Sequence, residues 1–369
     1  MRLALREARR ASGRCFPNPP VGAVVARGEV VLARGHTRPA GGAHAEVVAL
    51  ERALARHGRR AVRGATLAVT LEPCCHQGRT GPCTEAVLDS GVRRVLIGHR
   101  DPNPAVCGRG LRRLRRRGLH VEEEVLGDAC RYQHRGFVCV QERGRPWVAL
   151  KLASSLDGRI ATRSGESRWI TGPQARARVH RLRDAADGVM VGSGTARSDD
   201  PALTVRRGDV TRRCPVRILV DSGLRVPARA RLFRDAYASR TWVLASRAAA
   251  QRHGGMRGAS GARVLQVARR GKHLDLARAL QRLAREGLTT LLVEGGGGLA
   301  AALLRAGRVD EVHWFVAPSL IGGEGRPALA GLGLRRLAER VDLEIERVGR
   351  LGKDLYVHGL VKGTKEPRA

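Results

Sequence analysis

The feature that most restricts this chain is the regular exchange of two kinds of periodicity. Short apolar runs rich in β-branched residues recur along the whole length: VGAVVARGEVVLARG (21–35), ATLAVTLEP (65–73), RRVLIG (93–98), DGVMVG (187–192), VRILVD (216–221), TWVLAS (241–246), ARVLQVA (262–268), TTLLVEGG (289–296) and EVHWFVAP (311–318). Between them lie stretches with helical spacing, among them AHAEVVALERALARHG (43–58), TEAVLDSG (84–91), GRGLRRLRRRG (108–118), PQARARVHRLRDA (173–185) and LDLARALQRLAREG (274–287). Strand and helix patterns taken in turn specify α/β architecture. The first run reads as a hairpin turning near Gly28, and the first helix presents Val47, Leu50 and Leu54 on one face. Thr84 is the expected N-cap of its helix and Gly91 its stop. Pro173 suits a first helical turn.

A chain of 369 residues exceeds what one core usually holds. The Arg/Gly/Pro stretch at 142–146 is the best linker, which gives expected domains of 1–143 and 146–363, with a frayed tail at KGTKEPRA. No apolar segment is long enough to span a bilayer, and no leader pattern opens the sequence, so a cytoplasmic protein with no membrane partner is expected. The eight cysteines are then expected as thiols. The net charge of +34 suggests a polyanion partner, yet 63 of the 68 basic residues are arginine, spread along the chain, and aromatic residues amount to 3%. Few rings remain for stacking bases, so no dedicated nucleic-acid function is expected.

Chemistry concentrates in two places in the first half. In AHAEV, His44 and Glu46 stand at the mouth of a helix, where a histidine can ligate a metal and a carboxylate two residues on can stand beside it. In TLEPCCHQGRTGPC (70–83), Cys74 follows a strand stopped by Pro73, Cys75 and His76 come next, and Cys83 precedes a helix whose N-terminus favours a thiolate. A histidine with two thiolates gives three protein ligands, the arrangement of a catalytic zinc that keeps one position for water; a structural zinc usually has four. Glu46 is of the right type to take a proton from that water and pass it to a leaving amine. Zinc deaminases share the H-x-E element but have P-C-x-x-C, whereas eight residues separate Cys74 from Cys83 here.

That longer loop resembles the bifunctional riboflavin-biosynthesis deaminase–reductase family, whose loop reads much like P-C-x-H-x-G-R-T-x-P-C. PNPPVGAVV (17–25), GGAHAEVVAL (41–50) and DPNPAVCGRG (101–110) extend the likeness in the first half; KLASSLDGRIATRSGESRWITG (151–172), VGSGTARSDDPALTVR (191–206) and LLVEGGGGLAAALLRAGRVDE (291–311) extend it through the second. The resemblance implies a cytidine-deaminase-like three-layer α/β domain followed by a dihydrofolate-reductase-like domain. It implies one zinc held by His44, Cys74 and Cys83, with Glu46 catalytic, Cys75 as packing, and His76 and Asn18 as substrate contacts. It places NADPH on Ala153, Trp169, Thr195, Asp199, Ser222 and the segment Gly296, Gly297, Gly298, Leu299, Ala300, Ala301 and Ala302. It places further substrate contacts on Lys151, Ser167, Arg183, Leu203, Arg206 and Glu294.

Two of those assignments make physical sense, although among so many arginines it is the resemblance alone that selects Arg183 and Arg206. Gly295–Gly298 follows a strand and opens a helix, where bare N–H groups attract phosphate; GSGT (192–195) also follows a strand and is suited to line the same cofactor. Neither is the G-x-G-x-x-G fingerprint, so a Rossmann fold is not indicated. Guanidinium forks such as Arg183 and Arg206 match phosphate oxygens. Trp169 can be read equally as a core ring. The implied function is zinc-dependent hydrolytic deamination of 2,5-diamino-6-ribosylamino-pyrimidinone 5'-phosphate, then NADPH reduction of the ribosyl group to ribityl, in a homo-oligomer (dimer or tetramer) joined through the reductase domains. The alternatives are a nucleic-acid or nucleoside deaminase with an accessory binding domain, a non-enzymatic zinc protein in which Cys75 or His76 closes the coordination sphere, and a chain in which one half alone is active.

Overall fold

The computed structural model describes all residues except 78–80, 105, 168, 259 and 364–369, and for 253–258 it describes the backbone alone. The Gly78–Thr80 part of the cysteine loop and the end of the tail therefore lie outside the described residues. The chain divides into two compact units, Met1–Gly144 and Arg145–Ala369.

In the N-terminal unit, α1 (Arg2–Ala11) precedes the hairpin β1 (Gly22–Arg27) and β2 (Val30–His36); then come α2 (Ala45–Val62), β3 (Thr66–Val69), α3 (Cys83–Ser90), β4 (Arg94–Ile97), α4 (Arg109–Arg116), β5 (His120–Glu122), α5 (Gly127–Gln133) and α6 (Arg135–Arg143). The five strands form one sheet in the order β2-β1-β3-β4-β5. β1 runs antiparallel to β2 and β3, while β3, β4 and β5 are parallel. The hairpin closes at Gly28, whose φ of 59° is open to glycine at no steric cost.

Two other glycines bring helices onto opposite faces of that hairpin. A Cβ at Gly22 would collide with the Ala4 carbonyl of α1, and one at Gly35 with the Ala45 carbonyl of α2. Gly22 pairs with His36 and Gly35 with Ala23, so the two glycines point to different faces. Helices on both sides of a sheet make the three layers. The core gathers Val25, Leu50, Leu67, Val69, Val87, Val95, Ile97 and Leu111; each fully buried side chain of this size contributes about 1.5–3 kcal/mol.

Three local expectations change. The inward face of α2 is centred on Val48, Ala49, Leu50 and Ala53, with Val47 and Leu54 only half-buried. That helix also runs past Gly58, which kinks it with φ 72°. α3 starts one residue early: Pro82 is its N-cap and Cys83 its first residue, and the Thr84 hydroxyl bonds Glu85 rather than capping. The division between the units, after Gly144, falls inside the 142–146 stretch. Residues 142 and 143 finish α6, Gly144 caps it in the left-handed region, and Arg145 is buried in a double hydrogen bond to Asp310, both 2.6 Å.

The C-terminal unit holds a nine-stranded sheet. Its strands are β6 (Trp147–Ser155), β7 (Gly188–Gly192), β8 (Val216–Val220), β9 (Thr241–Ser246), β10 (Arg263–Val267), β11 (Thr290–Val293), β12 (Glu311–Ala317), β13 (Leu343–Leu351) and β14 (Asp354–Val361). They lie in the order β10-β9-β8-β7-β11-β6-β12-β14-β13. Pairings from β10 through to β12 are all parallel; β14 and β13 close the far edge as an antiparallel hairpin. Among the labelled helices are α7 (Pro173–Ala185), with Pro173 in its first turn, α8 (Ser193–Asp199), α9 (Leu276–Arg285), capped by the Asp275 carboxylate, and α10 (Gly297–Arg305). Parallel strands with helical crossovers bind ligands beyond their carboxyl ends, where neighbouring crossovers diverge. No helix among the described residues is long and apolar enough to cross a membrane.

Candidate active sites

The metal-type cluster in the N-terminal unit is built from three places far apart in sequence. His44 is the N-cap of α2, Cys74 follows β3 after the Glu72-Pro73 turn, and Cys83 opens α3. His44 Nδ1 lies 3.0 Å from Cys83 Sγ and 3.6 Å from Cys74 Sγ, and all three donor atoms lie within 4.8 Å of one another. The backbone explains why the thiols converge. The Cys83 N–H points at Cys74 Sγ at 3.4 Å, and the Thr84 N–H bonds the Cys74 carbonyl at 3.1 Å, so the start of α3 is folded onto the first cysteine. A helix start aimed at sulfur favours the thiolate. The side-chain hydrogen bond between the two thiols is the main cause that holds Cys74 well below its usual range, with the Cys83 N–H a smaller one, and the same thiol–thiol bond, with burial, pushes Cys83 up.

Glu46 sits on the first turn of α2, only 3% exposed, and its Oε2 has no hydrogen-bond partner. Burial pushes its carboxyl up to about 7, against the opposing pull of His44. A buried carboxyl oxygen without a partner costs free energy unless a ligand satisfies it. Neither Cys75 nor His76 joins the donor group: Cys75 is half-buried and His76 exposed. A nitrogen and two sulfurs, with an unsatisfied carboxyl two residues along from the nitrogen, fit a catalytic zinc better than a structural one. Asn18 is half-buried in the loop between α1 and β1, its N–H bonded to the Cys15 carbonyl.

One positioning residue escaped the sequence reading. Glu72, 3% exposed, accepts four backbone N–H bonds: from Asp101 (3.2 Å) and Gly108 (2.9 Å) on Oε2, and from Gly110 (3.0 Å) and Leu111 (3.3 Å) on Oε1. A side chain at Gly110 would collide with the Pro73 carbonyl. The 101–111 segment is thereby clamped to the strand end that carries Cys74. The only signal was position, a carboxylate directly before Pro-Cys. In the same segment burial raises the Asp101 carboxyl to about 6.

In the C-terminal unit the two glycine stretches meet. The Gly296 N–H donates to Thr195 Oγ1 at 2.9 Å, joining the start of α8, after β7, to the start of α10, after β11. β7 and β11 are adjacent in the sheet. Gly298 faces open space and Gly297 is closely approached by the 327–330 backbone. Ala300 and Ala301 are buried, and Leu299 and Ala302 half-buried. Ser222 follows β8, Asp199 ends α8 exposed, and Ala153 is half-buried within β6. Trp169 is not a core ring: it is 70% exposed, with the Arg176 guanidinium 4.6 Å from its centroid.

Of the residues expected at substrate, Lys151, Arg183 and Glu294 gather, each influencing the others' protonation. Arg183 donates to both Glu294 oxygens, at 2.6 and 2.9 Å, and to the Thr204 carbonyl at 2.9 Å. Its fork is engaged by a carboxylate rather than turned outward. Burial works to raise the Glu294 carboxyl, but Arg183 outweighs it and the net effect is downward. Burial lowers the Lys151 ammonium, with Glu294 opposing. Leu203 is buried at φ 53°, a left-handed conformation that a leucine rarely adopts. Arg206 is exposed, its N–H bonded to His180 Nδ1, and Ser167 is exposed.

Both units resemble known proteins. Residues 1–99 match the cytidine and deoxycytidylate deaminase zinc-binding region, and residues 146–357 match the RibD C-terminal domain. Riboflavin biosynthesis protein RibD of Actinobacillus pleuropneumoniae is 38% identical, covering 98% of this chain and 94% of that protein. The RibD of Escherichia coli K12 is 37% identical, covering 97% of each. Among solved structures, a diaminohydroxyphosphoribosylaminopyrimidine deaminase/5-amino-6-(5-phosphoribosylamino)uracil reductase from Thermotoga maritima superposes with a TM-score of 0.85, at 34% identity over 98% of this chain and 97% of that one. Acinetobacter baumannii RibD gives a TM-score of 0.86 at 32% identity, with coverage of 98% and 97%. The N-terminal fold is thus cytidine-deaminase-like and the C-terminal fold dihydrofolate-reductase-like, and the chain belongs to the bifunctional deaminase–reductase family of riboflavin biosynthesis.

Proposed function

We propose that the N-terminal unit deaminates 2,5-diamino-6-ribosylamino-pyrimidinone 5'-phosphate and that the C-terminal unit reduces the ribosyl group of the product to ribityl with NADPH. The observation that carries the first step is the buried Glu46 Oε2, without a partner, beside His44, Cys74 and Cys83. Zinc held by those three residues supplies Lewis acidity and brings the ionisation of a bound water to about pH 7. Glu46, poised at about 7, takes a proton at Oε2 and returns it to the departing ammonia. Its burial keeps bulk water from competing for that proton. The clamped 101–111 segment, with Asn18 and His76 as contacts, orients the pyrimidine.

For the second step, bound NADPH would supply hydride to the ribosyl carbon of the ring-opened imine, whose nitrogen takes a proton from solvent. Thr195, Ser222 and the 296–302 helix start hold the dinucleotide at the carboxyl ends of β7, β8 and β11, with Ala153, Trp169 and Asp199 flanking. Lys151, Ser167, Leu203, Arg206 and the Arg183–Glu294 pair receive the phosphoribosyl moiety. Arg183 then acts by fixing Glu294, and the exposed Arg206 is the freer guanidinium for phosphate. The edge strand β13, which exposes Ile345 and Val348, supports assembly into a homo-oligomer through this unit.

A two-stage assay tests the reading. Ammonia release from the pyrimidine nucleotide without NADPH, followed by NADPH consumption in the same sample, is expected. Replacing Glu46 with Gln is expected to slow ammonia release by roughly 10²–10⁴-fold, with zinc still bound and the reductase step on deaminated substrate unchanged. Equal ammonia release by the variant would remove Glu46 from the chemistry.

A further inference from the structure

The C-terminal unit contains a second convergence of metal-type donors, remote in sequence from the cysteines. Glu311 and His313 lie on β12 two residues apart, and His358 on β14 pairs directly opposite His313. The period of two in a strand puts all three on one face of the sheet. His313 Nε2 stands 3.0 Å from Glu311 Oε1, and His358 Nε2 stands 2.7 Å from the same oxygen. The two imidazoles stack with centroids 4.6 Å apart.

The outer atoms are held in a way that turns the inner ones together. Trp147 Nε1 donates to Glu311 Oε2 at 2.9 Å, which leaves Oε1 to face both rings. Tyr356 Oη lies 2.8 Å from His313 Nδ1. A hydroxyl that accepts from Nδ1–H fixes the tautomer whose Nε2 carries the lone pair, the usual support for a ligating histidine. Carboxylate and imidazole donors bonded to one tetrahedral zinc at about 2.1 Å stand roughly 3.4 Å apart. The 3.0 and 2.7 Å separations here are somewhat shorter, and all three donor atoms lie within 4.8 Å of one another, as do those of the His44–Cys74–Cys83 group.

Burial adds the energetic reason. The side chains of Glu311, His313 and His358 are 1%, 4% and 13% exposed. A carboxylate this deep needs a cation close by. A metal ion between Glu311 Oε1 and the two imidazoles supplies one. Two imidazoles and a carboxylate suit a first-row divalent transition metal.

We propose that Glu311, His313 and His358 form a second divalent transition-metal site, in the C-terminal unit, with zinc as the probe ion. It cross-links β12 to β14, and solvent reaches it at the edge of His358 to complete the coordination. No role in hydride transfer is implied.

The test is metal stoichiometry on the full chain. Protein stripped by chelator is reloaded with excess Zn²⁺, passed through a desalting column in metal-free buffer, and assayed by elemental mass spectrometry. Two equivalents per chain are expected for the unaltered protein. One is expected for His358→Gln and for Glu311→Gln, each checked for folding by circular dichroism and retained ammonia release. A Cys74→Ser, Cys83→Ser double variant is expected to keep one, and to bind Co²⁺ without a thiolate-to-cobalt charge-transfer band. A single equivalent in the unaltered protein overturns the proposal and leaves a hydrogen-bonded imidazole–carboxylate cluster. Two equivalents that persist in both single variants overturn it as well, because the second ion then lies elsewhere.

Discussion

Glu72 offers the sharpest test of how the deaminase site is held. Its carboxylate is the acceptor for the N–H groups of Asp101, Gly108, Gly110 and Leu111, two on each oxygen. In Glu72→Gln one oxygen becomes an NH₂, which faces two N–H donors and cannot accept from either. Two bonds to a charged acceptor are lost, at about 1.5–3 kcal/mol each, so local opening of the segment becomes easier by about 3–6 kcal/mol. At about 1.4 kcal/mol per decade that is two to four orders of magnitude, capped by global unfolding of the unit. Amide exchange reads this directly when closing outruns exchange. The amides of 101–111 are expected to exchange faster by that factor, while those of β11 and β12, in the other unit, keep their rates. Under the proposed function, in which the segment orients substrate without ligating, ammonia release should fall with zinc content unchanged. Unchanged exchange at Gly108, Gly110 and Leu111 would refute the clamp. A loss of zinc equal to the loss of activity would mean that Glu72 acts through Cys74 instead.

Three further outcomes follow from the same geometry. His134 is fully buried, pairs through Nε2 with Thr70 Oγ1 at 3.0 Å, and is lowered by burial from 6.5 to about 3. The fold holds it neutral and the unfolded chain protonates it first. Stability is therefore complete above pH ~6.5 and falls as pH drops toward 3, at about 1.4 kcal/mol per unit and by up to about 5 kcal/mol. Melting of the N-terminal unit between pH 7 and 5 should show this slope, and His134→Gln should flatten it. Arg183→Met removes the guanidinium that donates to both Glu294 oxygens, leaving Lys151 nearby, and should cost up to about 3–5 kcal/mol; NADPH oxidation should collapse while ammonia release persists, and Glu294→Gln in the same chain should restore part of the lost stability. Chelation of the metal should abolish ammonia release yet spare NADPH consumption on deaminated substrate, which a coupled assay separates.

Much of the architecture was legible because it depends on local periodicity. The β-branched runs became strands of the two sheets, and Gly28, Gly91 and Pro173 stand at the turn, helix stop and helix start expected of them. The grouping of His44, Cys74 and Cys83 was also legible, through ligand chemistry and a specific loop pattern. What failed was decided by contacts that sequence periodicity does not carry. Thr84 lost the cap because the Cys74 sulfur and carbonyl take the first N–H groups of α3, which draws Cys83 into the helix. Arg145, at the division of the chain, has a buried partner in Asp310, 165 positions away, that no local pattern announces. Glu72 gave no local sign beyond its place before Pro-Cys, because its four partners are backbone groups of a distant segment. The abundance of arginine left Arg183 to be selected by the resemblance alone, since it looks like any solvated charge until Glu294 is placed beside it.

The bond from Gly296 to Thr195 has a kinetic corollary. It joins residues 101 positions apart, and neither glycine stretch has its final shape until β7 and β11 are neighbours. Contacts of such high sequence separation form late, after the entropy of closing the intervening chain has been overcome. A dinucleotide analogue whose emission changes on capture would therefore report the last stage of refolding in this unit, lagging behind the return of helical signal.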